Sequence, residues 1–215
     1  MQVGILGSGD VAKALARGFV ATGHAVKLGT RDPKSGKLDA FAQELGRSAS
    51  LGTFSEAAEF GEVVVLAVLG SAALEAIRLA GPARFHGKVV IDTTNPLLFH
   101  GENAPPELFV GTTDSLGEQV QRALPEAHVV KAFNVVGNAH FYQPKFPGGP
   151  PDMFICGNDA AAKRTVAGLL HAFGWPALDI GGIDGARSLE PLCLLWVRTA
   201  FALGNFNIAF HLLRR

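Results

Sequence analysis

A glycine-rich segment near the start of the chain has the residue types and spacing needed to hold a phosphate group. Gly7–Ala12 reads Gly-Ser-Gly-Asp-Val-Ala and follows an apolar run at residues 2–6. In this pattern the first glycine permits a tight turn, the second leaves room for a pyrophosphate, and the alanine lets a helix pack closely on a strand. Free N–H groups at the helix start would bind the anion. The predicted dinucleotide contacts are Gly7, Ser8, Gly9, Asp10 and Val11, and the alternative is a tight turn without a ligand.

Asp10 is the one acidic residue in this segment. A carboxylate beside a pyrophosphate is repelled by it, although the residue lies where the cofactor should pass. We therefore expect the Asp10 side chain to turn to the backbone and cap the start of the helix.

The residues that follow the second predicted strand favour a phosphorylated cofactor. An NAD-binding fold usually places Asp or Glu there to bind the ribose 2′-hydroxyl. Here the strand is followed by Thr30, Arg31 and, after a short interval, Lys34. A hydroxyl, a guanidinium and an ammonium group suit a 2′-phosphate, so the expected cofactor is NADP(H). The alternative is a solvated basic turn.

Three further segments follow predicted strands at the edge of the sheet where such folds bind ligands. Small apolar residues of the first segment are expected to cover an adenosine or ribose edge, and polar residues of the other two to approach the nicotinamide. Asparagine before proline is also an ordinary turn residue, so that alternative stays open. The candidates are Ala67, Val68 and Leu69, then Asn95 and Pro96, then Asn134.

His140 is the candidate catalytic residue. Hydride transfer depends mainly on holding donor and acceptor carbons in contact, so an acid or base is not obligatory. A histidine can nevertheless protonate or hydrogen-bond a reduced acceptor near neutral pH. The alternative is a loop histidine bonded to the backbone.

The elements that must position these residues alternate between strand and helix, as in a doubly wound, mostly parallel sheet of the Rossmann type. A proline-rich stretch at 140–151 predicts an irregular loop, and residues 188–213 predict a C-terminal helix. We expect one NADP-binding domain over residues 1–215. Strands are predicted near 2–6, 25–29, 49–52, 63–68, 88–92, 128–132, 153–156 and 177–180, and helices near 10–22, 37–46, 71–80, 114–124 and 159–173.

Composition excludes several classes of partner. The net charge is zero, which gives no long-range attraction to nucleic acid or to an acidic membrane. Two distant cysteines predict reduced thiols, and the spacing of the seven histidines predicts no metal site. The chain shows no export signal, so a cytoplasmic location is expected. Residues 189–213 have the length of a membrane span, but their charged and polar residues favour a buried helix, for instance in a dimer interface.

Five segments together resemble the deazaflavin (coenzyme F420)-dependent NADP oxidoreductases and the related cytosolic domain of the STEAP metalloreductases. The segments are GILGSGDVAKALA, GTRDPK, VVIDTTNP, KAFNVVGNAH and MFICGNDAAAKRTV. The resemblance implies a Rossmann core and NADP(H) binding by Gly7–Val11, Thr30, Arg31 and Lys34. It also implies a homodimer assembled through C-terminal helices, and it matches His140 to the histidine near the hydride-transfer site.

These observations predict an NADPH-dependent oxidoreductase that passes hydride to a small-molecule acceptor. The acceptor would be coenzyme F420, a flavin or another small electrophile. Two alternatives are an NADP(H)-binding redox sensor without turnover and a cyclic imine reductase, which shares this type of N-terminal domain.

Overall fold

Ten strands and seven α-helices occur in the computed structural model, which describes residues 1–101, 105–213 and 215. In chain order they are β1 (Gln2–Leu6), α1 (Asp10–Ala21), β2 (Ala25–Thr30), α2 (Asp39–Leu45), β3 (Ala49–Thr53), α3 (Phe54–Phe60), β4 (Val63–Leu66), α4 (Ala73–Ala80), β5 (Val89–Asp92), β6 (Leu97–Leu98), β7 (Glu107–Leu108), α5 (Leu116–Ala123), β8 (His128–Lys131), β9 (Met153–Gly157), α6 (Ala160–Phe173), β10 (Ala177–Asp179) and α7 (Ala186–Leu203). The predicted strands, and the predicted helices before the C-terminal one, are all present within two residues of their expected bounds.

Eight strands form one sheet in the order β3-β2-β1-β4-β5-β8-β9-β10. Neighbouring strands are parallel, except that β8 and β9 run antiparallel. The chain leaves β1 towards one edge and returns at β4 towards the other, so the strand order reverses between these two strands. In doubly wound sheets a ligand cleft opens at this point, outside the carboxyl ends of the strands. The predicted Rossmann-type sheet is confirmed.

Apolar side chains cover both faces of this sheet. All four residues of β4 are buried, as expected for a parallel strand between two helical layers. One layer packs Phe19 of α1 and Phe173 of α6 on the sheet, and the other packs Ile77 of α4 and Val120 of α5. The two layers leave the carboxyl edge of the sheet as the place where polar groups converge.

Two short elements were not predicted. The helix α3 begins with a capping box, in which the Glu56 N–H donates to Thr53 Oγ1 over 3.2 Å and the Thr53 N–H donates to the Glu56 carboxylate over 2.7 Å. The spacing Thr-x-x-Glu was visible in the sequence and is a signal for such a start. The other element is the antiparallel pair β6 and β7, which follows Pro96 and has two residues in each strand.

The predicted C-terminal helix over residues 188–213 is wrong at its end, because α7 stops at Leu203. Gly204 has a left-handed conformation (φ 59°), which is a common way for a helix to terminate. The chain then folds back, and the Trp196 indole N–H donates to the Ile208 carbonyl over 2.8 Å. Among the residues that the structure describes, no helix has the length and apolar character required to cross a membrane.

A buried ion cluster, formed by Asp92, Lys131 and Glu190, joins the carboxyl edge of the sheet to α7. Lys131 Nζ lies 2.7 Å from Asp92 Oδ2 and 3.0 Å from Glu190 Oε1, and all three side chains are at most 2% exposed. Burial alone lowers the pKa of Lys131, but the two carboxylates outweigh it and raise the pKa to about 12. Glu190 also accepts the backbone N–H groups of Leu116 and Gly117 at the start of α5. The cluster therefore holds β5, β8, α5 and α7 in one arrangement.

We predict that Lys131→Met lowers the free energy of unfolding by about 3–5 kcal/mol, because it leaves two buried carboxylates without their cation. The measurement is equilibrium unfolding in urea. Arg78→Met is the matched control, since Arg78 pairs with Glu75 on the surface of α4 with both side chains more than half exposed. This control substitution should lower the free energy of unfolding by about 0.5 kcal/mol or less. Equal losses in the two variants would contradict the role of the cluster.

Candidate active site

A groove of about 730 Å3 runs along the carboxyl ends of β1 and β4, at the point where the strand order reverses. The phosphate-binding segment forms one wall, and residues after β4 and on α4 form the other. Nine of the predicted dinucleotide contacts line it, and they are Gly7, Ser8, Gly9, Asp10, Val11, Arg31, Ala67, Val68 and Leu69. The position and volume of the groove suit a dinucleotide.

The two glycines of the turn have different roles. Gly7 has φ +144°, and a Cβ built there would lie 2.1 Å from the Ala67 carbonyl oxygen. This position therefore requires glycine for the fold itself. A Cβ built on Gly9 meets no other protein atom within 4 Å, although Gly9 lines the groove. Gly9 thus leaves open space at the start of α1, and the start of a helix is a position where backbone N–H groups can bind a phosphate.

The predicted capping role of Asp10 is wrong. Gly9, with extended backbone, occupies the N-cap position of α1, and no side chain of the described residues caps this helix. Asp10 is the first helical residue, one position too late to cap in the usual way. Its exposed carboxylate lies in the first turn, where the positive end of the helix dipole favours a negative charge.

Of the three predicted 2′-phosphate residues, the structure places Arg31 in the wall of the groove. Thr30 ends β2 and is half-buried, and Lys34 is exposed. The turn between them is ordered by Asp32, whose Oδ1 accepts the Lys34 N–H over 3.1 Å and whose carbonyl accepts the Ser35 hydroxyl over 2.9 Å. Arg31 lines the groove and forms no side-chain hydrogen bond or ion pair with the described residues, and Thr30 and Lys34 lie before and after it in the chain.

Sequence reasoning missed six groove residues. They come from the start of α3, from α4 with the residue before it, and from the segment after β8, and they are Phe54, Ala72, Glu75, Ala76, Leu79 and Asn138. The signal for the α4 residues was present in the helical spacing of Ala72, Ala76 and Leu79, which lie three or four positions apart. Leu69 adds a side chain that is 73% exposed, so this side of the groove is mostly apolar, with Glu75 as its charged residue.

Asn95 and Asn134 lie together but do not line the groove. Asn134 Nδ2 donates to Asn95 Oδ1 over 3.1 Å and to the Leu189 carbonyl over 2.9 Å, and Asn95 Nδ2 donates to the Asn134 carbonyl over 2.9 Å. Pro96 is buried beside them. Among the described residues, Asn134 Oδ1 is the buried side-chain atom that lacks a hydrogen-bond partner. The preceding residue, Phe133, has φ 60°, which is unusual for a bulky side chain. Unsatisfied atoms and uncommon backbone of this kind occur often at functional sites.

His140 points to the C-terminal segment. It lies in a short 3-10 turn at Asn138–His140, and its Nε2 is 2.9 Å from Asn207 Oδ1. Its ring centroid lies 4.7 Å from that of Phe146, with the two rings tilted by 47°. Asn138, two residues earlier, lines the groove whereas His140 does not. The partner of His140 is thus a side chain, not the backbone group that the alternative reading of the sequence anticipated.

Comparison with known proteins agrees with this geometry. The sequence model of the family described as NADP oxidoreductase coenzyme F420-dependent matches residues 2–96. A candidate F420-dependent NADP reductase from Arthrobacter sp. FB24 has a crystal structure that superposes with a TM-score of 0.94, at 39% identity over 100% of both chains. The F420-dependent NADP reductase of Methanocaldococcus jannaschii is 31% identical over 66% of this chain and 63% of its own length. The metalloreductase STEAP3 of Rattus norvegicus is 36% identical over 95% of this chain and 40% of its own length.

The chain belongs to the F420-dependent NADP oxidoreductase family, which is a family of oxidoreductases. The predicted resemblance is thereby confirmed. The chain spans about two fifths of the length of the STEAP metalloreductases that it matches. An imine reductase from Streptomyces aurantiacus has a TM-score of 0.69 at 18% identity, covering 94% of this chain and 64% of that chain, which shows a shared fold.

We predict that Gly7→Ala and Gly9→Ala separate folding from cofactor binding. Gly7→Ala should lower the free energy of unfolding by about 2–5 kcal/mol, because the new Cβ meets the Ala67 carbonyl and the backbone is strained. Gly9→Ala should change it by about 1 kcal/mol or less but weaken NADPH binding about tenfold or more, since its Cβ enters the groove. Urea unfolding and titration calorimetry measure the two quantities. Unchanged NADPH affinity in Gly9→Ala would place the pyrophosphate elsewhere.

Proposed function

We propose that this chain binds NADP(H) in the groove and catalyses hydride transfer between the nicotinamide and a small-molecule acceptor, either a flavin or deazaflavin such as coenzyme F420, or another small electrophile. The observation that carries the proposal is the open space at Gly9, at the start of α1, in a groove that Arg31 also lines. When bound, the cofactor supplies the hydride. The residues of this chain hold it, orient it and exclude water.

The phosphate groups are assigned to two places in the groove. The backbone N–H groups of Ser8–Val11 face the bridging pyrophosphate, and Arg31 binds the 2′-phosphate with support from Thr30 and Lys34. Ala67–Leu69 cover the adenosine or ribose edge. The exposed carboxylate of Asp10 lies nearby without a partner of opposite charge among the described side chains. Its repulsion of the phosphates is offset by the helix dipole and Arg31.

The nicotinamide is assigned to the end of the groove near Asn138 and the Asn95–Asn134 pair. Asn134 Oδ1 has no partner in the described structure, and a buried acceptor left unpaired costs about 1–3 kcal/mol. Since this atom is buried and Asn134 does not line the groove, we propose that the Asn95–Asn134 pair acts on the cofactor indirectly, by holding the backbone at this end of the groove in place. Pro96, which follows Asn95 directly, stiffens the backbone at this position.

His140 is proposed to donate a hydrogen bond or a proton to the reduced acceptor. Support comes from its place in the same 3-10 turn as the groove residue Asn138. Its hydrogen bond to Asn207 fixes the ring orientation through Nε2 and leaves Nδ1 for another contact. The cysteines are not candidates for this chemistry, because burial raises the pKa of Cys156 and of Cys193 to about 12.

A homodimer and a cytoplasmic location complete the proposal. The end of α7 and the second residue after Gly204 carry apolar side chains that are substantially exposed, namely Phe201, Leu203 and Phe206. A second copy covering this surface would remove it from water. Both cysteines are free thiols, as is usual in a reducing compartment.

Arg31→Ala should weaken NADPH binding by about 1.5–3 kcal/mol and leave NADH binding nearly unchanged, because only NADPH has the 2′-phosphate. Titration calorimetry with both cofactors measures this difference. Arg47→Ala is the matched control, since Arg47 is exposed, lies beyond α2 and does not line the groove. It should bind both cofactors as the parent does. Equal losses for NADPH and NADH in Arg31→Ala would refute the assigned role.

We expect the parent protein to oxidise NADPH when mixed in a stopped-flow instrument with at least one member of a panel containing FMN, FAD and coenzyme F420. His140→Asn should slow that step by about 10²-fold or more while leaving NADPH affinity unchanged, as removal of a general acid does. His171→Asn, an exposed histidine on α6, is the control and should retain the parent rate.

Two results would redirect the assignment. Tight NADPH binding without oxidation by any acceptor, together with a ligand-dependent change in oligomer size, would favour a redox sensor. Full activity in His140→Asn would limit the role of this residue to holding the C-terminal segment.

A further inference from the structure

A second cavity, of about 240 Å3, lies between α7 and the segment that follows β7. It shares no lining residue with the groove. Its apolar wall consists of Leu108, Val110, Pro191 and Leu194. Its charged lining consists of Asp114, Arg187 and the buried Glu190. A cavity of this size admits a compact molecule and is too small for a dinucleotide.

The charges around the cavity do not balance. At the rim, Asp114 forms an ion pair with Arg122, and Arg187 forms one with Glu118, so each pair is neutral. In the interior, the buried ion cluster contains two carboxylates, on Asp92 and Glu190, and one ammonium group, on Lys131. The cavity is therefore bordered by a cluster with one excess negative charge. The backbone N–H groups of Leu116 and Gly117 at the start of α5 offset part of this charge, and a bound cation would offset the remainder.

Glu190 retains the capacity to accept one more hydrogen bond. Its Oε1 lies 3.0 Å from Lys131 Nζ and accepts the Gly117 N–H over 2.9 Å. Its Oε2 accepts one hydrogen bond, from the Leu116 N–H over 3.0 Å. A carboxylate offers about four acceptor positions, so one position on Oε2 stays open. Asp114 has no such capacity, because Arg122 and Gln119 occupy both of its oxygens and help to lower its pKa to about 2.

We propose that this cavity binds a small organic cation, a protonated amine on a compact apolar body, with the ammonium group at Glu190 and the body against Leu108, Val110, Pro191 and Leu194. The apolar wall excludes a hydrated inorganic ion in favour of an organic one. The site is independent of the proposed dinucleotide groove.

The cavity and the groove are nevertheless linked through one residue. Leu116, whose N–H donates to Glu190, lies against Gly70, where a Cβ would be 3.0 Å from Leu116 Cδ2 and 1.9 Å from the Asn95 carbonyl. Gly70 directly follows Leu69 of the groove. The start of α5 therefore lies between the cavity and the proposed nicotinamide end.

The experiment titrates the full-length protein with cyclohexylammonium at neutral pH, using calorimetry, and compares it with cyclohexanol as a neutral molecule of similar size. The parent should bind the cation at least about tenfold more tightly than the alcohol, as expected for a hydrogen bond to a charged group. Glu190→Gln, which keeps an oxygen for the α5 N–H groups, should lose this preference. Leu194→Trp should fill the cavity and abolish binding of both molecules.

Leu195→Trp is the matched control, because Leu195 is exposed on α7 next to Leu194 but outside the cavity. It should bind cyclohexylammonium as the parent does, and both tryptophan variants should keep their NADPH affinity. Equal affinity of the parent for the cation and the alcohol, or unchanged binding in Leu194→Trp, would overturn the proposal. Should Glu190→Gln fail to fold, the proposed site is still tested by comparing the binding of cyclohexylammonium and cyclohexanol to the parent and to Leu194→Trp. NADPH binding is measured separately, so its failure would affect the proposed function and not this site.

Discussion

The buried contact between Lys131 and its two carboxylates is the interaction on which the geometry of the carboxyl edge depends. Asp92 ends β5, Lys131 ends β8 and Glu190 belongs to α7, so three elements distant in sequence meet at one ammonium group. Lys131 also donates to the Thr94 carbonyl over 2.9 Å, and Asp92 Oδ1 accepts the Thr94 N–H and hydroxyl. Because buried charges tolerate little displacement, this cluster fixes the backbone that leads from β5 to Asn95.

The two ends of the candidate site are consequently built by different means. At the phosphate end, backbone conformation determines the site: Gly7 needs positive φ, Gly9 needs to lack a side chain, and α1 supplies N–H groups. At the other end, side-chain hydrogen bonds determine it, through the Asn95–Asn134 pair and the Leu189 carbonyl. A phosphate site built from backbone groups is compatible with many hydride acceptors. A network of side chains can instead be adapted to one particular acceptor. This division is consistent with a family in which the cofactor site is shared and the second substrate differs.

Much of the sheet and of the phosphate end could be predicted from sequence, because both leave local signals. Apolar runs such as Val63–Leu66 predict buried strands, and the spacing of Gly7 and Gly9 predicts the turn. The buried ion cluster could not be predicted, since its members are separated by up to 98 positions and nothing local distinguishes them from surface charges. The groove residues of α4 were missed for a similar reason: their helix was predicted, but its orientation depends on tertiary packing. The end of α7 was misplaced because apolar residues continue beyond Gly204, whose left-handed conformation ends the helix.

The early stop of α7 changes what the C-terminal segment can do. After Gly204 the chain returns along the body of the protein, where Phe210 accepts the Asp152 N–H over 3.1 Å and Asn207 contacts His140. His211 Nδ1 lies 2.9 Å from the carboxylate of the same Asp152, which ties the segment to the start of β9. The orientation of the proposed catalytic histidine is thus set by residues about seventy positions later in the chain, and the segment that was expected to serve only packing or dimerisation also holds a residue of the candidate site.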